Sequence, residues 1–93
     1  MNGQMSPAEG VSWVKDSSQI IVIDIVHQKA HQLQGAEMAV WDWLMLGYSF
    51  ARIARMAAEM QNLPLKQAEN SLTRMIQGWC EAGLLEVTEQ ADG

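Results

Sequence analysis

The chain has 93 residues with 11 acidic and 6 basic side chains, a formal charge of −5. That balance works against nonspecific attraction to the phosphate backbone of nucleic acid, which depends on Lys and Arg. Cys80 is the only cysteine, which excludes an internal disulfide and fits a reducing compartment. No apolar run approaches the ~20 residues of a membrane span, and the opening MNGQMSPAEG lacks the charged start and apolar core of a secretory signal, so the expected location is cytoplasmic and away from membranes.

An apolar fraction of 48% with four Trp is ample for one packed core. MNGQMSPAEG and TEQADG are small, polar and without hydrophobic period, which predicts a folded unit at 11–87 between flexible ends at 1–10 and 88–93. From Val11 the pattern is that of strands. Val11, Trp13 and Lys15 alternate with Ser12, Val14 and Asp16, DSS marks a tight turn, and the β-branched run QIIVIDIV follows. Its apolar character on both faces, broken only by Asp24, predicts a central strand covered on at least one side. After the turn HQKA comes a thin third strand, Ala30 to Gln34, ending at Gly35.

The period then becomes helical. Met38, Trp41, Leu44, Met45 and Tyr48 recur at steps of three and four, with Gly47 as a stop. Ser49 is placed to cap a second helix whose apolar stripe is Ile53, Met56, Ala57 and Met60. Pro64 fits the start of a third helix, about Leu65 to Ala82, with an inward stripe of Leu65, Ala68, Leu72, Met75, Ile76 and Trp79. Gly83 ends it, and Leu84 and Leu85 are expected to fold back onto the core. The order is α+β: a three-stranded antiparallel sheet followed by three helices.

Little in this order carries chemistry. His27 and His31 straddle a turn, and with Cys80 the only thiol they do not form a recognisable metal set, so neither metal nor cofactor is expected. Asp24 has no second carboxylate at acid–base spacing, and its expected role is to accept turn or backbone hydrogen bonds. The serines lack a nucleophile elbow, and there is no glycine-rich phosphate loop. The expectation is a protein that is not an enzyme. Trp41 and Trp79 lie on inward stripes, whereas Trp43 falls off its helix's main stripe and, with Arg52 and Arg55, is the candidate surface for docking a partner enzyme.

The segments IIVID, LQGAEMAVWDWLMLGYSFARIARMAAE and IQGWCEAGLLEV together resemble the PqqD-like proteins, which are winged helix-turn-helix-like peptide-recognition domains. The matching features are Asp24 ending an aliphatic strand, Leu33 before the first helix, Val40 with Trp41, Leu44 with Gly47, Ile53, and Gly83 to Leu85. Two departures are the absence of an aromatic residue in AHQLQ and Ser71 where an acidic residue is often found. They bear on which peptide is bound rather than on the fold.

The resemblance implies a noncatalytic peptide chaperone. Such domains bind the leader of a ribosomally made precursor peptide as an added strand and present it to a modifying enzyme, often of the radical-SAM type. An unpaired strand edge is a template whose backbone groups supply affinity while neighbouring pockets supply selectivity. The implied peptide-binding residues are Ala30, His31, Gln32, Leu33 and Gln34 on the strand. On the third helix, a step of ~100° per residue puts Glu69, Thr73 and Ile76 on one flank and Ser71, Met75 and Gly78 on the other. The flank taken as the groove wall is that of Glu69, Leu72, Thr73 and Ile76. Replacing Leu33 by Pro is expected to remove a donor from the receiving edge. The alternatives are a winged-helix transcription regulator, for which the third helix offers only Lys66 and Arg74 as cations, and an adaptor subunit of an enzyme complex. A homodimer through the same edge is a further use of it.

Overall fold

The computed structural model describes residues 3–89. The elements are β1 (Gly3–Pro7), β2 (Val11–Lys15), β3 (Ile20–Asp24), β4 (Lys29–Leu33), α1 (Ala36–Met45), α2 (Phe50–Gln61), α3 (Leu65–Glu81) and β5 (Leu85–Glu89). The expected three-stranded antiparallel sheet is β2-β3-β4, with β3 central, and the three helices follow it. β4 is thus the third strand of the sequence reading, begun and ended one residue earlier.

The expectation of flexible ends needs correction. Gly3–Pro7 pairs antiparallel with Leu85–Glu89, from Gly3 opposite Glu89 to Pro7 opposite Leu85, as a separate two-stranded ribbon. Met5 packs against the core from this ribbon, and the amide of Ala8 donates to the carbonyl of Leu84 (3.0 Å). Residues 1, 2 and 90–93, the outer parts of those ends, lie outside the described residues.

Local chemistry explains each boundary. In the β2–β3 turn the Asp16 carboxylate accepts from the amides of Ser18 (2.8 Å) and Gln19 (3.0 Å), and these bonds hold its carboxyl below the ordinary aspartate value. Ser49 Oγ accepts from the amide of Arg52 (3.2 Å), capping α2. Each helix closes in the same way, with a left-handed residue just past its end. At α1 the amide of Tyr48 donates to the carbonyl of Trp43 (3.2 Å), at α2 that of Leu63 to Ala58 (2.9 Å), and at α3 that of Leu84 to Trp79 (2.9 Å). The left-handed positions are Gly47 (φ 86°), Asn62 (φ 54°) and Gly83 (φ 80°). Gly83 sends the chain back so that Leu84 and Leu85 are both buried.

The core joins the inner face of the sheet to the helices: Ile20, Val22 and Leu33 meet Trp41, Ile53, Leu72, Ile76 and Trp79 in one cluster. Trp41 is fully buried at its centre. Its indole stands edge-on to Trp79, with ring centroids 5.3 Å apart, and to Trp13, at 6.0 Å. The helix stripes are those expected except at their margins. Ala54 is buried, Met60 and Leu65 are exposed, and Met56 and Met75 are half-buried. Leu65 is the first residue of α3.

Candidate functional site

β4, like β2, is an edge strand of the sheet, and the register shows which peptide groups it turns outward. At one end of the β2–β3 ladder the amide of Asp16 bonds to the carbonyl of Gln19 (3.0 Å), and at the other the amide of Ile25 bonds to Gly10 (3.0 Å). Bonded and non-bonded pairs alternate along an antiparallel ladder. The peptide groups of Ile21 and Ile23 therefore turn toward β2, and those of Ile20, Val22 and Asp24 toward β4. Their partners Leu33, His31 and Lys29 face back into the sheet. The N–H and C=O groups of Ala30 and Gln32 are left pointing off the edge, and no described strand pairs with them.

This register corrects the expectation for Leu33. Its amide serves the internal ladder to Ile20, and its side chain is buried, so Pro at this position would damage the sheet before it touched the edge. Ala30 and Gln32 are the residues whose main chain is free. Gln34 lies just beyond the strand, exposed.

The side chains of β4 divide by face. Ala30 and Gln32 are exposed on the outer face, where the Gln32 side-chain amide donates to Gln19. Lys29, His31 and Leu33 share the core side. His31 is half-buried, and its Nε2 is sealed from solvent with no hydrogen-bond partner among the described residues. Such an orphan costs about 1–3 kcal/mol.

The third helix shows both flanks plainly. A small cleft is lined by Ala36 and Val40 of α1, Ala57 and Gln61 of α2, and Ala68, Ser71, Leu72 and Met75 of α3. Ser71 and Met75 thus lie on the flank of α3 that faces the other two helices in this cleft, which no residue of β4 lines. Glu69 and Thr73 do not line this cleft. Glu69 is half-buried, and Thr73 is exposed with its hydroxyl donating to the Glu69 carbonyl (2.9 Å). Leu72 and Ile76 are core residues alongside Leu33.

At the other end of the strand, Asp24 is buried with its carboxylate turned onto the β3–β4 turn. Oδ1 accepts from the amide of His27 (3.1 Å) and Oδ2 lies 2.7 Å from His27 Nδ1. The His27 side chain is the main cause holding the Asp24 carboxyl below its ordinary value. Burial opposes that shift and the backbone bond supports it. Asp24, His27 and Cys80 all border an open hollow beside the Gly83 turn. Burial pushes the Cys80 thiol up, and the charge of Glu81 adds to this, the opposite of what activates a thiolate. Among the described residues no group of three or more His, Cys, Asp and Glu side chains comes together as a metal site.

The proposed docking residues lie elsewhere. Trp43 is half-buried and packs against the core. Arg52 lies over the ring of Tyr48, 4.0 Å from its centroid, and Arg55 is exposed.

A three-stranded sheet whose edge strands β2 and β4 have no further partner among the described strands, backed by three helices, defines an α+β domain of the winged helix-turn-helix type. Two solved structures share this fold. One, described as lasso peptide synthetase B1 complexed with the leader peptide, is 16% identical with a TM-score of 0.82, covering 89% of this chain and 98% of its own. The other, described as TbiB1 in complex with the TbiA(beta) leader peptide, is 13% identical with a TM-score of 0.83, covering 91% and 99%. The fold implied by the PqqD-like resemblance is the one observed. No protein-family model matches the chain, and no curated protein sequence matches it significantly.

Proposed function

We propose that this protein is a noncatalytic recognition domain that binds the leader segment of a ribosomally made precursor peptide by strand addition at β4 and presents it to a modifying enzyme. The observation that carries this reading is the unpaired edge of Ala30 and Gln32 on a fold shared, over about nine-tenths of the chain, with two proteins described in complex with leader peptides. Within the segment Ala30 to Gln34 the edge supplies main-chain bonds at Ala30 and Gln32, and α3 supplies the wall. We favour the flank of Ser71 and Met75 for that wall, with Glu69 and Thr73 as the other candidate, while Leu72 and Ile76 hold the helix in place from the core. The modifying partner is a radical-SAM enzyme or, by analogy with the one structural neighbour described as lasso peptide synthetase B1, a lasso peptide synthetase. The face of Arg52, Arg55 and Trp43 is the side offered to it. The setting is cytoplasmic. No described helix is long and apolar enough to cross a membrane.

The test is an amide NMR titration of the full chain with peptides encoded by neighbouring open reading frames, with duplex DNA as control. Saturable shifts at Ala30, Gln32 and one flank of α3 are expected with one such peptide. Shifts produced by DNA alone would replace this reading with that of a transcription regulator.

A further inference from the structure

The core side of β4 carries Lys29, His31 and Leu33 in a row, each two residues from the next. A strand added through Ala30 and Gln32 places His31 at a non-hydrogen-bonded position, where the facing residue approaches most closely, with Cα atoms about 4.5 Å apart. The side chain opposite lies on the same face, within direct reach of the ring. His31 has a ring nitrogen with no partner among the described residues. Lys29 is exposed and joins neither of the ion pairs formed among them, Lys15 with Asp42 and His27 with Asp24. The flank of α3 taken here as the groove wall, with Ser71, Met75 and Gly78, carries no charge of its own.

We infer that the peptide received at this edge carries the pattern apolar-x-acidic-x-acidic. Antiparallel to β4, as every described strand pair is, its apolar residue faces Leu33, its first carboxylate faces His31 and its second faces Lys29. This rests on the leader-binding reading and names the class of peptide that reading leaves open. The first carboxylate accepts the hydrogen bond that His31 lacks, after a reorientation of a ring already half-exposed at the sheet's open side. The second meets an ammonium free to turn toward it. A peptide with lysines at those positions sets cation against cation.

The test uses three synthetic peptides, identical except at the two positions, which hold glutamate, alanine or lysine. Each is titrated into the full isotope-labelled chain with the amides of Ala30 and Gln32 as the readout. The glutamate peptide is expected to bind at least roughly tenfold more tightly than the alanine peptide, the worth of one charge-assisted hydrogen bond, and the lysine peptide most weakly. The preference is expected to collapse in a His31→Phe, Lys29→Gln variant. Shifts at the edge with equal affinity for all three peptides would overturn the acidic pattern while leaving strand addition standing. The absence of edge shifts with all three, and with the peptides of neighbouring reading frames, would remove both.

Discussion

Asp24 and His27 close the β3–β4 turn on themselves, with one carboxylate oxygen on the ring nitrogen (2.7 Å) and the other on the backbone amide (3.1 Å). The pair fixes the start of β4, where the free edge begins.

A pH dependence follows. The folded Asp24 carboxyl is held below its ordinary value of 3.8, so the unfolded chain takes up this proton first as the solution is acidified. The stabilisation is complete above the ordinary value and is lost as pH falls through the lowered one. Denaturant titrations across the acid range should show Asp24→Asn less stable at neutral pH and flatter on the acid side. Asp16, lowered by its turn amides, preserves part of the slope. An unchanged acid profile in the variant would remove Asp24 from this role.

Trp41 tests the core. It is fully buried between Trp13 and Trp79, and Trp41→Ala is expected to cost about 3–5 kcal/mol. A small domain has roughly 5–15 kcal/mol in all, so urea unfolding should show a large drop in the variant's midpoint. A loss below about 1 kcal/mol would mean that the site collapses around the cavity, contrary to the close packing described.

Gly83→Ala isolates backbone conformation. A Cβ there would meet His27 Cε1 at 3.6 Å, an ordinary contact, so the cost is that of holding a side chain at φ 80°. A loss of roughly 1–2 kcal/mol in chemical denaturation is expected, with helical content unchanged.

Proline placement separates edge from interior. Ala30→Pro removes a donor that points off the sheet. It should leave the fold intact and weaken peptide binding at least roughly fivefold, from one lost bond of about 0.5–1.5 kcal/mol and the obstruction of the ring. Leu33→Pro should instead destabilise the whole domain, because its amide belongs to the β3–β4 ladder. Calorimetric binding with a circular dichroism melt distinguishes the two, and equal binding by folded Ala30→Pro would reject strand addition.

Much of this architecture was legible in the sequence because its signals are local. Alternation in Val11 to Lys15, the DSS turn, and the glycines at 47 and 83 each act within a few residues. β1 was not legible, since GQMSP has little pattern of its own and becomes a strand only through LEVTE, at the far end of the chain. The groove wall was undecided for a related reason. Helical periodicity assigned Ser71 and Met75 to one flank and Glu69 and Thr73 to the other, but which flank meets α1 and α2 is visible only once the helices pack. The orphan nitrogen of His31 left no trace in sequence, because a missing partner is visible only when every neighbour is in place.

The shortness of β4 has a kinetic consequence. Two outward-facing residues offer at most four main-chain bonds, worth in net terms about 2–6 kcal/mol, whereas bringing two molecules together costs roughly 4–15 kcal/mol. On the strand-addition reading such a ladder leaves little or no surplus on its own, so a guest's dwell time is governed by the side chains beside it. Rival peptides will arrive at similar speeds and differ in how soon they leave.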